Sequence, residues 1–403
     1  MTDWNDLRVR EFPVATRWAY FDHAAVAPLP KRSADRLRLW IDDQENNGVV
    51  NWPDWERKLE AVRRTAARLI KADRDEIAFI TSTTQGIGIV AEGFPWRNGD
   101  NVVTAAEEYP SNVYPWMNLA DRGVSLRMVP TRDGRIWIED LDAAIDSHTR
   151  LLTISHVEFA SGFRNDLNAI GELCRKRGIA FFVDAIQGLG PLEIDVQQTP
   201  IDFLAADGHK WLLGPEGAGI VYIKKEWIDR LRPIGVGWHS VINCYDHSKI
   251  DFRLKPSAQR WEGGSFNMPG IQALGASLEL IDEIGAAEVS RRILDRAEAA
   301  REVARQAGWS VYGSSRPEDR SGIVSLEREG VDPKHVVKQL RDMGIATACR
   351  GGRLRLSPHI YNNQDDFDRL REAFVTIAKN EVAAPSSMTF DRNDVETIHN
   401  EVE

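Results

Sequence analysis

Two apolar segments of this sequence end in residues that could do chemistry. Residues 179–183 lead into Asp184, and residues 201–206 lead into the run Asp-Gly-His-Lys that ends at Lys210. Short, continuous apolar runs bounded by polar residues are typical of buried parallel strands. Ligands of open α/β sheets bind beyond the carboxyl ends of such strands. We therefore expect Asp184 and Lys210 to lie at one edge of a sheet, where one ligand would contact both.

A carboxylate and a lysine at neighbouring strand ends suit the chemistry of pyridoxal phosphate. A lysine that is unprotonated part of the time forms a Schiff base with an aldehyde, which pyridoxal phosphate supplies. The cofactor ring withdraws electrons while its nitrogen is protonated, and a buried aspartate facing that nitrogen keeps the proton there. From these residues alone, the alternative is that Asp184 caps a helix and Lys210 is a solvated turn residue.

The stretch around both residues resembles the cofactor-lysine region of class V aminotransferases. These are fold-type I pyridoxal enzymes that include cysteine desulfurases, selenocysteine lyases and isopenicillin N epimerase-like proteins. The matching pieces are VDAIQ at 183–187 and DGHKWLLGPEGAG at 207–219, and further motifs follow in the family's order over roughly residues 20–374.

The resemblance implies a role for each residue of this stretch. Lys210 is the Schiff-base lysine, and Asp184 is the partner of the ring nitrogen. Gln187 hydrogen-bonds the ring hydroxyl oxygen, and His209 packs beside the lysine.

A turn rich in hydroxyl groups follows the strand-like residues 77–80 and opens a helical pattern. Backbone N–H groups and the helix dipole make such a turn suitable for a phosphate. An ordinary helix cap is the alternative. The turn resembles the family's phosphate-binding turn, which implies that Thr83 and Thr84 bind the cofactor phosphate, although Ser82 stands where the family has glycine.

Two further cofactor contacts follow from the resemblance. Tyr109 stands at the family position whose ring stacks on the cofactor, and an aromatic face suits a planar ring. The segment RWEGGSFN at 260–267 resembles one whose hydroxyl residue, here Ser265, reaches the cofactor phosphate of a neighbouring subunit. The implied assembly is a homodimer with shared active sites. The alternative for residues 260–267 is a glycine-rich connector between domains.

Arg355 is the predicted substrate-binding residue. An amino-acid substrate presents a carboxylate, which arginine binds through two parallel hydrogen bonds. The segment RLRLSPHIYNN at 353–363 resembles the family segment whose arginine, here Arg355, holds the substrate α-carboxylate. Arg350 and Arg353 are interpreted as surface charges.

Three departures from the family pattern distinguish this chain from cysteine desulfurases. Glu158 and Phe159 replace a Ser-Asn pair whose asparagine reaches the ring hydroxyl oxygen, so either Glu158 substitutes or the contact is missing. Asp207 replaces a serine that binds phosphate, and because a carboxylate repels phosphate we expect it to turn away or to pair with a cation. The desulfurase loop with its catalytic cysteine is absent, and Cys349 precedes Arg350. Desulfuration requires an accessible thiolate, so the sequence argues against that activity.

Composition limits the class of protein. The 403 residues are 42% hydrophobic and 28% charged, as in ordinary globular proteins. The net charge of −10 argues against general binding to nucleic acid or anionic membranes. The three cysteines show no paired or metal-type spacing, which predicts free thiols, no metal site and a reducing, cytoplasmic compartment. We also expect no signal peptide and no membrane helix.

The predicted fold class is α/β, with the architecture of fold-type I pyridoxal enzymes. We expect a mostly parallel central sheet with helices on both faces and a smaller C-terminal α+β domain. The predicted units are an N-terminal segment on the small domain (1–19), the large cofactor domain (20–255), the small domain (256–384) and a polar tail (385–403).

The predicted function is a pyridoxal 5′-phosphate-dependent enzyme that acts at the α-carbon of an amino acid. A class V aminotransferase is the first choice, and a C–S or β-lyase and an amino-acid epimerase are the alternatives. A nucleotide-binding α/β protein is disfavoured because no Gly-x-Gly-x-x-Gly follows an early strand.

Overall fold

The computed structural model describes residues 2–132, 134–314 and 316–383. The predicted polar tail at 385–403 lies outside these residues. The helices are α1 (Trp4–Glu11), α2 (Lys31–Asn47), α3 (Trp52–Ile70), α4 (Thr83–Gly93), α5 (Tyr114–Met117), α6 (Ile138–Ala144), α7 (Leu167–Arg177), α8 (Met268–Ile284), α9 (Ala286–Gln306), α10 (Pro333–Asp342) and α11 (Gln364–Ala383).

The strands divide among three sheets. They are β1 (Ala19–Tyr20), β2 (Ile77–Ile80), β3 (Asn101–Ala105), β4 (Ser125–Val129), β5 (Thr149–Ser155), β6 (Ala180–Asp184), β7 (Phe203–Asp207), β8 (Gly219–Ile223), β9 (Ser310–Val311), β10 (Val324–Glu327), β11 (Ile345–Ala346), β12 (Ala348–Arg350) and β13 (Arg353–Leu356).

The large sheet has seven strands in the order β2-β8-β7-β6-β5-β3-β4. Strand β8 runs antiparallel to β2 and β7, and all other neighbours are parallel. Every residue of β6, β7 and β8 is buried, as their continuous apolar composition predicts for strands covered on both faces. The predicted mostly parallel central sheet is confirmed.

Helices cover both faces of this sheet, and the alternation of side chains explains why. Successive residues of β6 point to opposite faces: Phe181 and Val183 join one apolar core, whereas Phe182 joins the other. The first core is covered by α3, α7 and α8, and the second by α4. The apolar cores on the two faces therefore fix the positions of the strand ends.

The C-terminal region forms a smaller α+β unit. Strands β12, β13, β10 and β9 make an antiparallel sheet in that order, and its apolar side packs with α9, α10 and α11. Helices α8 and α9 are separated by Gly285, whose φ of 92° is unfavourable for other residues. The boundaries between the N-terminal segment, the two domains and the tail stay a prediction.

The N-terminal segment contacts this smaller unit. Arg8 forms an ion pair with Asp366 at 2.7 Å, and Phe12 stacks on Tyr361. In the described part of the chain, no helix has both the length and the apolar character needed to cross a bilayer.

Candidate active site

The carboxyl ends of three neighbouring strands meet at one edge of the large sheet. Ser155 ends β5, Asp184 ends β6 and Asp207 ends β7, and Ser155 pairs with Asp184 in parallel register. Lys210 follows three residues after the end of β7. The structure therefore brings Asp184 and Lys210 to the same edge, where the sequence predicts a ligand.

Asp184 is a buried carboxylate without a cationic hydrogen-bond partner among the described residues. It is 2% exposed, and its Oδ1 accepts a hydrogen bond of 3.0 Å from the backbone N–H of Ile186. Burial raises the pKa of Asp184 to about 6, against the opposing effects of that hydrogen bond and of the charge on Lys210. A protonated ring nitrogen would supply the missing cationic donor.

The surroundings of Lys210 favour its neutral amine. Burial lowers the pKa of Lys210 to about 8; the charge of Asp184 opposes this shift, and the charge of Arg355 adds to it. Its Nζ lies 5.7 Å from the centre of the Tyr109 ring. We find no hydrogen bond or ion pair from Nζ to any residue that the structure describes. A free, partly neutral amine is the form that attacks an aldehyde.

The turn that opens α4 lies against the end of β7. Thr83 is the first helical residue, and its hydroxyl accepts a 3.0 Å hydrogen bond from the backbone N–H of Asp207. Thr84 donates its hydroxyl hydrogen to Ser111 at 2.9 Å. Gly86 permits this close approach, because a Cβ there would lie 2.6 Å from that of Ala205. Ser82 caps this helix, because its hydroxyl accepts a 3.1 Å hydrogen bond from the backbone N–H of Gln85. The N–H groups of Thr83 and Thr84 have no intrahelical partners and are available to a phosphate.

Asp207 is engaged by its own neighbours. Its Oδ1 accepts a 2.7 Å hydrogen bond from the backbone N–H of Gly208, and its Oδ2 lies 2.9 Å from Nδ1 of His209. This contact brings an imidazole nitrogen to the carboxylate, and the pairing of Asp207 with a cation remains a prediction. His209 is thus held beside the carboxylate as well as directly before Lys210.

Gln187 is buried, and most of its hydrogen-bonding capacity is used within the protein. Its Nε2 donates to the backbone oxygen of Ala24 at 3.0 Å, and its Oε1 accepts from Nε1 of Trp211 at 2.8 Å. One N–H of the amide remains for a ligand. The role predicted for Gln187 at the ring hydroxyl oxygen thus depends on this single hydrogen.

Tyr109 and Phe159 meet at the mouth of the site. Their ring centres are 5.2 Å apart in an edge-to-face arrangement, and Tyr109 is 44% exposed. An aromatic face this open, next to Lys210, is available to a planar ligand. Ser265 is also exposed and precedes α8, and no contact of Ser265 with the other predicted residues is present in one subunit.

Arg355 connects the small sheet to this site. It is 2% exposed, and it donates to the backbone oxygen of Phe159 at 3.0 Å and to Oδ1 of Asp22 at 3.2 Å. Its Nε is buried and has no partner in the described part of the protein. Burial lowers the pKa of this guanidinium, and the charge of Asp22 opposes that shift. The free Nε–H offers a donor to an incoming carboxylate.

The turn between β12 and β13 consists of two residues. Gly351 and Gly352 have φ of 54° and 71°, as a tight hairpin requires at both central positions. Cys349 lies opposite Leu354, which belongs to the apolar core of the small unit. Opposed residues of an antiparallel pair share a face and successive residues alternate, so Cys349 lies on the face opposite to Arg355.

Sequence reasoning missed two carboxylates of the site. Glu108 is buried beside Tyr109 and accepts hydrogen bonds from the backbone N–H and hydroxyl of Ser155 and from Asn112. Asp22 is the partner of Arg355 described above. The signals were present, since Glu108 adjoins the predicted stacking residue and Asp22 lies in the family-like segment YFDHAAVAP.

The residues present fit pyridoxal phosphate. Among the described residues, Asp184 lacks a cationic hydrogen-bond partner, the amine of Lys210 has no hydrogen bond, and the N–H groups of Thr83 and Thr84 at the start of α4 have no partner. These are the groups that would hold the ring nitrogen, the aldehyde carbon and the phosphate, respectively. The described ranges contain no cluster of three or more side chains that could hold a metal ion.

Known proteins similar to this chain share its length and sequence pattern. A probable cysteine desulfurase of Methanothermobacter thermautotrophicus is 31% identical over 395 residues, covering 92% of this chain and 97% of the relative. A cysteine desulfurase of Cronobacter sakazakii is 30% identical, covering 91% and 96%. An uncharacterized aminotransferase of Bacillus subtilis, YcbU, is 28% identical, covering 82% and 85%.

Solved structures share the fold. The apo structure of a cysteine desulfurase from Thermococcus onnurineus NA1 matches with a TM-score of 0.84 at 24% identity, covering 94% of this chain and 99% of that one. The cystine C–S lyase C-DES, in complex with its product cysteine persulfide, matches with a TM-score of 0.84 at 23% identity, covering 90% and 99%. The predicted fold-type I architecture is confirmed.

The family assignment follows from a match over nearly the whole length. The model of the family described as aminotransferase class-V matches residues 19–370. Members of this family work with pyridoxal 5′-phosphate, and the residues of the site fit that cofactor. The chain belongs to the class V aminotransferase family of pyridoxal 5′-phosphate-dependent enzymes.

Proposed function

We propose that this protein is an aminotransferase that acts at the α-carbon of an amino acid. The observation that carries the proposal is the position of Lys210, whose lowered pKa of about 8 reflects a buried amine between Asp184 and Arg355. Such an amine can alternate between the neutral and the protonated form near neutral pH, as a general base must. We further propose that Lys210 is the residue to which the cofactor attaches.

The cofactor contacts follow from the site. When bound, pyridoxal phosphate supplies an electrophilic aldehyde and a ring that withdraws electrons from the substrate α-carbon. Asp184 carries the negative charge that holds a proton on the ring nitrogen. Thr83 and Thr84 bind the phosphate through backbone N–H groups and hydroxyls, Tyr109 lies against the ring, and Gln187 contributes its remaining amide hydrogen.

Substrate binding and proton transfer are the tasks of Arg355 and Lys210. Arg355 binds the substrate α-carboxylate, which takes the place of Asp22 on the guanidinium. This contact fixes the α-carbon relative to Nζ of Lys210. Lys210 then accepts the α-proton at Nζ, and the carbon to which it returns this proton distinguishes transamination from epimerisation.

A C–S lyase is the second candidate, because most of the similar relatives reported above are named cysteine desulfurases. A desulfurase that forms a persulfide on the enzyme needs a thiolate within reach of the substrate. Cys349 lies on the face opposite to Arg355. A lyase activity of this chain would therefore release sulfur without a cysteine of the β12–β13 turn.

The reaction is tested by adding single amino acids to the purified holoenzyme and following its long-wavelength absorbance. Loss of the band with release of one equivalent of the 2-oxo acid, and its return on adding another 2-oxo acid, would support transamination. Release of pyruvate or sulfide with a persistent band would replace that proposal with the lyase. The absence of any band, with pyridoxal phosphate added, would contradict the assignment of Lys210.

We also propose a homodimer in which Ser265 contacts the cofactor phosphate of the partner subunit. Ser265 is exposed and forms no hydrogen bond with any residue that the structure describes, which supports this arrangement. The test is sedimentation of the holoenzyme together with the cofactor affinity of Ser265→Ala. A monomer with full activity, or an unchanged affinity in Ser265→Ala, would contradict it.

A further inference from the structure

Glu158 is a buried carboxyl group at the edge of the active site. It is 2% exposed, and its Oε1 accepts a 2.8 Å hydrogen bond from Asn165. Its Oε2 is buried and has no hydrogen-bond partner among the described residues. A buried polar atom without a partner costs free energy. A ligand that forms a hydrogen bond with Oε2 would remove this cost.

The backbone around Glu158 holds this carboxyl group in place. Its N–H donates to the oxygen of Phe163 and its own oxygen accepts from Gly162, both at 2.9 Å. Phe159, the next residue, contacts the ring of Tyr109 and accepts a hydrogen bond from Arg355. Asn165, which donates to Oε1 of Glu158, also donates to the backbone oxygen of Ser155, the residue that pairs with Asp184. Glu158 therefore lies beside the end of β5, and Phe159 connects it to Tyr109 and Arg355.

The surroundings of Glu158 favour its neutral, protonated form. The charged groups that affect it are carboxylates, namely Glu108, Asp184 and Glu107. Burial is the main cause that raises the pKa of Glu158 well above its ordinary range, and the charge of Glu108 adds to it. Glu108 accepts three hydrogen bonds, whereas Oε2 of Glu158 accepts none from the described residues. Because Oε1 already accepts from Asn165, a protonated Glu158 would carry its hydrogen on Oε2 and donate from there.

The ring hydroxyl oxygen of the cofactor is an acceptor for which the other residues provide few donors. Phe159 stands where desulfurases have an asparagine and carries no polar hydrogen. Gln187 has one N–H committed to Ala24, and its oxygen is committed to Trp211. We propose that protonated Glu158 donates a hydrogen bond from Oε2 to the ring hydroxyl oxygen of pyridoxal phosphate. This inference rests on the proposed attachment of the cofactor at Lys210.

The test compares two cofactors that differ only in this oxygen. Apo protein is titrated with pyridoxal phosphate and with its 3-deoxy analogue, which lacks the ring hydroxyl group. For the wild type and for Glu158→Ala, the measured ratio is the dissociation constant of the analogue divided by that of pyridoxal phosphate. Because any intrinsic difference between the cofactors is common to both proteins, the change in the ratio reports the contact. We expect the wild-type ratio to exceed that of Glu158→Ala by roughly 10- to 100-fold, as for a hydrogen bond to a charged acceptor.

Two further variants separate the contact from a structural role. Glu158→Gln keeps a donor of similar size and should retain part of the wild-type ratio. Asp22→Asn changes a carboxylate that contacts Arg355 rather than the cofactor ring, and it should keep the full wild-type ratio. A structural defect would weaken the binding of both cofactors equally.

Each outcome is decisive. The same ratio in the wild type and in Glu158→Ala, or an equal loss of ratio in Asp22→Asn, would overturn the role of Glu158 while leaving the cofactor assignment intact. Failure of the wild type to bind either cofactor would overturn both this inference and the proposed function. A lower ratio in Glu158→Ala with partial retention in Glu158→Gln is the expected result.

Discussion

The two ends of the active site are built in different ways. At the cofactor end, Asp184 and Lys210 follow strands β6 and β7, whose residues are all buried between two apolar cores. At the substrate end, Arg355 lies in the small sheet and reaches across to Phe159 and Asp22. The cofactor end thus depends on one sheet, whereas the substrate end depends on three chain segments coming together.

The β12–β13 hairpin shows how the substrate end is assembled. It has a two-glycine turn and carries Arg355 on one face and Cys349 on the other. The position of Arg355 therefore depends on the register of this hairpin as well as on the contacts with Phe159 and Asp22.

The largest expected effect is at the cofactor end. Lys210→Ala removes the amine that attaches the cofactor and accepts the α-proton, so we expect kcat to fall about 10³-fold or more and the long-wavelength absorbance band to disappear. Lys71→Ala, which changes an exposed lysine paired with Asp195, is the matched control. Retention of the band in Lys210→Ala would contradict the whole assignment.

A smaller effect is expected at the substrate end. Arg355→Lys keeps the positive charge but loses the forked geometry, so we expect kcat/KM to fall about 10- to 100-fold, mainly through KM. Arg353→Lys is the control, because Arg353 is held by Ser325 and by the ring of Tyr312. Equal losses in both variants would mean that Arg355 has no special role in substrate binding.

The rate at which the apo protein takes up the cofactor should depend on pH, and Arg355 at the substrate end should affect this dependence through the pKa of Lys210. Only the neutral amine of Lys210 reacts, and burial lowers its pKa to about 8. The loading rate of apo protein should therefore rise about tenfold per pH unit below pH 8 and level off above it. The charge of Arg355 adds to the lowering, so Arg355→Met should move the midpoint to higher pH. The check is stopped-flow absorbance, and a midpoint near that of an ordinary lysine would contradict the buried amine.

The smallest effect is expected from Cys349→Ala. The side chain lies opposite Leu354, on the face away from Arg355, so we expect less than about a twofold change in turnover. The measurement is turnover with the best amino-acid substrate, together with sulfide release from cysteine. Loss of sulfide release in this variant would show that the thiol takes part and would favour a desulfurase.

Much of the fold and part of the site could be predicted from local patterns. Strand β2 occupies the predicted residues 77–80, and the apolar runs that lead into Asp184 and Lys210 form β6 and β7. These strands follow from apolar runs that act over a few positions.

The contacts between distant segments could not be predicted in this way. The pairing of Arg355 with Asp22 joins residues far apart in the chain, and the burial of Glu108 and Glu158 together at the end of β5 depends on packing around Ser155. The roles assigned to the site residues remain predictions that the experiments above address.

The amino-acid sequence by itself indicated the cofactor class through its resemblance to a known family at residues 183–187 and 207–219. It also placed Asp184 and the turn at Thr83 at the ends of recognisable apolar strands, because such runs act over a few positions. Only the tertiary structure decided which groups remain without partners, which face of the hairpin carries Cys349, and how burial changes the pKa values of Lys210, Asp184 and Glu158. The physical reason is that burial and electrostatic interactions depend on distances between segments, and the folded core sets those distances.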